Sequence, residues 1–233
     1  MNTPYSYGQT ISLEAETGLV WFSRNDVRIP NDGGTGFDML EIIGSNAVPY
    51  YRLRLNIRLG DRHMIRALIA PLSKIGTGVF DKEVFFEETF FEAGVPIDGI
   101  YRFNTYRLTY RYIFYDSNNW ILGAGVAALI RDAKIELIQL DRSDLNTDIG
   151  FVPLLHLYAE RGFGTSFSLS FDAETLAGPQ GRATDAALAL NYRFSERWDA
   201  SLGYRVLEGG ADVDEVYNFS WINFAMAGLR VGF

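Results

Sequence analysis

Apolar and polar residues alternate with a period of two in ten stretches of this chain, at 11–24, 37–59, 63–75, 101–115, 120–133, 150–161, 165–175, 183–195, 198–208 and 217–233. Successive side chains on a strand point to opposite faces, so this pattern predicts strands with one face on an apolar medium and one on a polar medium. In 37–59, Tyr51, Leu53, Leu55, Ile57 and Leu59 form one face and Arg52, Arg54, Asn56 and Arg58 the other. The stretch 101–115 sets Tyr106, Leu108, Tyr110, Tyr112 and Phe114 against Thr105, Arg107, Thr109 and Arg111. In 165–175, Phe167, Leu169, Phe171 and Ala173 oppose Ser166, Ser168, Ser170, Asp172 and Glu174. In 183–195, Ala186, Leu188, Leu190, Tyr192 and Phe194 oppose Asp185, Asn191 and Arg193.

The connections alternate in length. Tight turns fall at 60–62, 116–119, 161–164 and 195–197, and longer connections at 25–36, 76–100, 134–149, 176–182 and 209–216. An up-and-down antiparallel meander places all the short turns at one end of a barrel and all the long loops at the other, and an even strand count returns both termini to the short-turn end. A water-soluble barrel would alternate in the same way with its apolar face turned inward. Aromatic placement favours the membrane: Phe114, Tyr115 and Trp120 flank one short turn, Tyr192, Phe194 and Trp198 another, and Phe233 ends at the same level. This resembles the girdle of amphipathic rings at a membrane interface.

The final strand carries a second resemblance. Tyr217, Phe219, Trp221, Ala225, Ala227, Leu229, Val231 and Phe233 share one face. Such an ending resembles the C-terminal signal of Gram-negative outer-membrane β-barrels, a terminal Phe preceded by alternating apolar residues that the barrel-assembly machinery reads. The resemblance identifies no particular family. It implies an assembly signal at Leu229, Val231 and Phe233 and an all-β, single antiparallel transmembrane barrel of about ten strands over 1–233, with short periplasmic turns and long extracellular loops. Outer-membrane lipids and lipopolysaccharide would be its surroundings.

Composition is compatible with this. Of the 233 residues 48% are hydrophobic, but the longest apolar run, 120–130, is too short for the roughly 20 residues of a spanning helix. A spanning strand needs only about 9–11 residues, half of them facing a lumen. The net charge of −8 argues against nucleic acid, and the absence of cysteine discriminates little. Residues 1–10 are polar and lack the charged start and apolar core of a signal peptide, so export implies a signal already removed.

With the polar faces inward, Arg52, Arg54, Arg58, Arg66, Arg107, Arg111 and Arg131 come from one side of the barrel, and Glu160, Asp172, Glu174, Asp185 and Asp199 from the other. Glu14 and Glu16 lie beside the arginine wall, and Gly123, Gly125 and Ala127 suit a narrow lumen. Opposed walls could orient small solutes by a transverse field. They could equally plug the lumen by Arg–carboxylate pairing, which a ten-stranded diameter favours.

His156 shares a face with Tyr158 and Glu160, and a turn at 161–164 would bring it near Ser168 or Ser170 with Asp172 diagonal, a set able in principle to transfer an acyl group. The stretch lacks the His and Ser two apart expected from resemblance to outer-membrane lipid A deacylases, and its mid-strand position differs from the rim acids and His of the omptin proteases. His63 is expected at the interface. No spacing supports a zinc site, an EF-hand or a phosphate loop, and no cofactor or metal is expected. The block VFDKEVFFEETFFEAG offers Phe80, Phe85, Phe86, Phe90 and Phe91 among carboxylates, either as packed strand extensions or as an exposed patch for a partner or lipid. The combined expectation is a non-enzymatic barrel with a narrow charge-paired lumen and surface loops that meet a protein partner or lipopolysaccharide. A narrow porin-like channel and a lipid-modifying enzyme are the alternatives.

Overall fold

A computed structural model describes residues 10–233; the sequence reading of the N-terminal segment falls, except for Thr10, outside the described residues. In chain order the elements are β1 (Ile11–Arg28), β2 (Phe37–Asp38), α1 (Leu40–Ile43), β3 (Val48–Leu59), β4 (His63–Ala70), β5 (Ser73–Val79), β6 (Val84–Phe86), β7 (Thr89–Phe91), β8 (Pro96–Ser117), β9 (Trp120–Gln139), β10 (Arg142–Phe163), β11 (Phe167–Gly178), β12 (Gly181–Arg193), β13 (Trp198–Asp212) and β14 (Tyr217–Gly232). Each barrel strand pairs antiparallel with its neighbour, and β14 returns to β1 from Ser12↔Gly232 to Arg28↔Tyr217. With β4 and β5 counted as one interrupted strand along β8, this is a closed barrel of ten strands. Closure of β14 on β1 removes the edges that an open sheet would have, although β5 pairs with β8 alone.

The alternation resolves with the arginines inside. Leu53, Leu108, Val126, Leu155, Leu188 and Leu202 are exposed around the outer wall, while Arg52, Arg54, Arg107 and Arg111 are buried. A soluble barrel has the opposite arrangement. An apolar belt around the whole circumference far exceeds the few hundred Å² of apolar patch that a water-soluble monomer tolerates. Phe114, Tyr115, Trp120, Tyr192, Phe194, Trp198 and Phe233 are all exposed at the short-turn end. Among the described residues no helix is long and apolar enough to cross a membrane, so any crossing is made by strands.

Several expected boundaries shift, for physical reasons. Apart from the two residues of β2, the stretch 37–59 is strand only from Val48; between them, Met39, Ile42 and Ile43 follow helical spacing at the single turn of α1 and are buried. The connections expected at 134–149 and 176–182 are strand instead: β9 and β10 pair as far as Gln139↔Arg142, and β11 and β12 as far as Gly178↔Gly181. Their outer faces carry Asp132, Lys134 and Glu136, because above the apolar belt the outward side chains meet water and the hydrophobic period fades.

The apolar core lies inside the barrel, toward the long-loop end. The first long connection delivers Phe37, Met39, Ile42 and Ile43, and the second delivers Phe80, Val84, Phe86 and Phe91; these pack on Phe22, Tyr101, Leu137, Ile222 and Phe224 of the wall. The two insertions bind each other through Thr35 N to Phe85 O (2.9 Å) and Glu87 N to Ile29 O (2.9 Å). Asn146 Nδ2 to Glu87 Oε1 (2.6 Å) and the Glu92 amide to Gln139 Oε1 (2.7 Å) tie the β6–β7 hairpin to the wall.

Candidate functional site

Below this apolar plug the lumen is filled by charge. Asp185 of β12 accepts from Arg52 of β3 (2.8 Å), Arg205 of β13 (2.5 Å) and Arg107 of β8 (3.1 Å). Glu16 of β1 accepts from Arg205 (2.9 Å), Arg54 (2.6 Å) and the Tyr50 hydroxyl (2.9 Å), and Arg54 also reaches Glu14 (2.5 Å). Glu174 of β11 pairs with Arg107 and accepts from the Thr109 hydroxyl at 2.6 Å. Asp172 takes Arg66 through two bonds (2.5 and 3.1 Å) and Arg111 at 2.8 Å. Arg111 lies over the Tyr158 ring at 3.5 Å. Arg52–Asp185, Arg107–Glu174, Arg107–Asp185, Arg66–Asp172 and Arg111–Asp172 join strands that are not neighbours and so cross the lumen, whereas Arg54–Glu14, Arg54–Glu16 and Arg205–Asp185 tie adjacent strands along the wall.

Burying so many ions costs several kcal/mol per ion unless each keeps its hydrogen bonds, which explains why the carboxylates have two or three cationic or hydroxyl donors. The lumen makes room by using small residues on β9. Gly123 leaves space for the Arg111 stem, and a Cβ on Gly125 would collide with the Tyr110 carbonyl oxygen.

The other expected lumen residues lie nearer the ends. Arg58 lines the short-turn end. Glu160 accepts from Ser168 (2.5 Å) and Tyr158, and Asp199 holds Arg193 (3.2 Å) and Arg230 (2.7 Å). Arg131 pairs with Asp148 near the long-loop side. His63 contacts the Tyr110 hydroxyl at 2.8 Å on the exposed surface. Sequence reasoning missed Arg205 and Tyr50 as network members. The parity of β13 would have placed Arg205 beside Asp199 and Ser201, and Tyr50 precedes Arg52 on the inward face of β3.

Two expected groupings are corrected. His156 does not meet Ser168 or Ser170: it stands opposite Glu174, and Glu160 is the residue opposite Ser170. The β10–β11 ladder continues through Arg161 to Phe163↔Phe167 and turns at 164–166, where Gly164 adopts φ 67°, so every pairing slides from the expected register. Instead, fully buried His156 accepts at Nε2 from Arg111 Nε (2.8 Å), which places its proton on Nδ1. Nδ1 lies 3.5 Å from Glu174 and 3.8 Å from Asp172. Donor atoms of His156, Asp172 and Glu174 lie within 4.8 Å of one another. Both carboxylates are already neutralised by guanidinium groups, so a divalent cation there would face an uncompensated excess of positive charge. The second correction concerns the loop aromatics. Phe86 and Phe91 are fully buried in the plug, because the Val84↔Phe91 and Phe85↔Phe90 register gives the hairpin two faces; Phe90, 53% exposed, and the partly covered Phe85 stack outside at 4.6 Å.

At the short-turn end a cup of about 160 Å³ opens beneath the network, lined by Ser12, Asn56, Arg58, Arg66, Asn191 and Arg193 among others.

A closed ten-stranded antiparallel barrel with an apolar outer belt and a charged interior defines a transmembrane β-barrel of the outer-membrane type. No family model and no curated protein matches the sequence. Among solved structures the chain is similar to the outer membrane protease OmpT from Escherichia coli, at 11% identity over 99% of this chain and 100% of that one, with a TM-score of 0.54. It also aligns with neisserial surface protein A (12% identity, 96% of this chain and 97% of that one, TM-score 0.40). Ail, the attachment invasion locus protein of Yersinia pestis, aligns at 11% identity over 94% of this chain and 97% of that one, with a TM-score of 0.39. The first likeness is one of fold, and the other two are too loose to add to it.

Proposed function

We propose that this protein is a non-conducting, non-enzymatic barrel of the bacterial outer membrane, whose long-loop end meets a protein partner or lipopolysaccharide. The observation that carries this reading is the double seal: an apolar plug in one half of the lumen and a charge network spanning the other. Leu229, Val231 and Phe233, on the last strand, serve as the signal read by the assembly machinery. Separation of His156 from Ser168 and Ser170 leaves neither serine paired with the histidine, which speaks against acyl transfer by a Ser–His pair. Phe85 and Phe90, stacked beside Glu87 and Glu88, are the surface aromatics best placed for a partner.

Planar-bilayer recording of the purified protein tests the reading. Negligible conductance is expected, and stable ion-selective openings of the wild type would overturn it in favour of a narrow channel. Turnover of lipid A or phospholipid by purified wild type that vanishes in His156→Ala would overturn the non-enzymatic assignment.

A further inference from the structure

We infer that the cup at the short-turn end is a binding site for a small oxyanion, a phosphate or sulfate group free or carried on a larger molecule. Its lining contains seven arginines, including Arg54, Arg58, Arg66, Arg193 and Arg230, against four carboxylates, Glu14, Asp172, Glu196 and Asp199. The remaining polar surface is made of neutral hydrogen-bonding groups, Ser12, Asn56, Asn191 and Ser201 among them. Such a wall resembles the arginine-lined constrictions that select for anions.

A second observation points the same way. The buried side-chain polar atoms without a protein partner, among the described residues, are all nitrogens: Nε of Arg52, Arg66, Arg102, Arg107 and Arg131, Nδ2 of Asn25 and Nδ1 of His156. His156 Nδ1 carries the proton, because Nε2 accepts from Arg111, so it too is a donor. Among them, Arg66 also lines the cup. An oxyanion in the cup offers Arg66 a further acceptor, and guanidinium geometry suits it bidentately. A volume of about 160 Å³ admits a phosphate group with a few waters, at roughly 30 Å³ per water.

The cup opens only toward the short turns, because the charge network and the apolar plug close its other side. Its occupant comes from the compartment at that end. Binding there does not depend on whether the barrel conducts, so calorimetry and bilayer recording can fail separately.

The test titrates purified wild type in a neutral maltoside with inorganic phosphate, by calorimetry and ³¹P line broadening. Saturable binding of one phosphate is expected, with sulfate competing and glucose inert. Arg58→Gln and Arg193→Gln should each weaken it about tenfold, the loss of one strong contact, whereas Arg62→Gln, which removes an exposed charge at the same end outside the lumen, should change it less than about twofold. Repeating the titration in phosphatidylglycerol nanodiscs separates the sources: unchanged affinity assigns the cup to free solutes, and competition by the lipid assigns it to a headgroup. For variants that fail to fold, the wild type provides the measurement, since phosphate should raise its unfolding temperature above that in sodium chloride of equal ionic strength. Absence of saturable binding, or an equal loss in Arg62→Gln, overturns the inference.

Discussion

Arg107→Met isolates the energetic logic of the lumen. Arg107 and Glu174 are each only 3% exposed, and Arg107 is the cation that holds Glu174. In its absence Asp185 retains Arg52 and Arg205, but Glu174 is left with the Thr109 hydroxyl and the His156 ring at 3.5 Å. A buried carboxylate stripped of its cation costs about 3–5 kcal/mol. Adding Glu174→Gln removes the stranded charge while keeping an acceptor for Thr109, so the double variant should recover more than half of the loss. Glu174→Gln alone should cost only about 1–2 kcal/mol, because Arg107 still has Asp185. The coupling between the two substitutions is then about 2 kcal/mol or more, within the range for residues of one network. Urea unfolding in phospholipid vesicles, followed by tryptophan fluorescence and by gel mobility of folded and unfolded forms, measures all four corners of the cycle. A loss below about 1 kcal/mol for Arg107→Met, or a double variant as unstable as the single one, would refute the assignment of Arg107 as the counterion that makes Glu174 tolerable.

Three further outcomes follow from other parts of the molecule. Leu188→Arg, on the outer belt, should cost about 2–4 kcal/mol in vesicles if the site lies near the bilayer midplane, and wild-type protein that stays monodisperse without detergent or lipid would disprove the belt. His156→Leu leaves Arg111 Nε without its acceptor and should lower stability by about 1–3 kcal/mol, measured by the same urea titration; an unchanged midpoint would remove His156 from the network. At the long-loop end, burial, together with Asp81 and Asp38, raises the carboxyl of Glu41 above its ordinary 4.5. The folded state then holds this proton to higher pH than the unfolded state, so Glu41 contributes a penalty at neutral pH that is relieved as pH falls toward 4.5. Glu41→Gln should therefore flatten the gain in thermal stability between pH 7 and pH 4.5, and an identical pH profile in variant and wild type would contradict this.

The barrel was legible because lipid and lumen impose a strict two-residue period on β3, β8, β11 and β12, and because Trp120, Trp198 and Phe233 mark one interface. Above the belt that contrast disappears: Lys134 and Glu136 meet water on the outside of β9 while Ile135 and Leu137 still face inward, and the stretch reads as loop although it is strand. The plug was hidden for a related reason. Met39, Ile42 and Ile43 are apolar enough to extend a strand, and only their spacing separates a helical turn inside the barrel from a strand in its wall. Opposing walls of arginine and carboxylate could be read from face parity, but the choice of partners depends on diameter and shear, which place Arg66 across from Asp172 and Arg205 between Glu16 and Asp185. One shifted turn at Gly164 was enough to move His156 from serines to acids.

The two seals differ in material and in origin. The charged layer belongs to the wall itself, contributed strand by strand, whereas much of the apolar stopper arrives from the two long connections between β1 and β3 and between β5 and β8. Wall and stopper can thus be redesigned separately. Replacing the plug-forming parts of both connections with short polar loops would keep all ten ladders and the cross-lumen ion pairs while emptying the upper chamber, giving a protein cup with a charged floor. Such a cup is a natural starting point for a sensing nanopore, in which the diameter of the aperture is set afterwards by choosing which arginine pairs to trim.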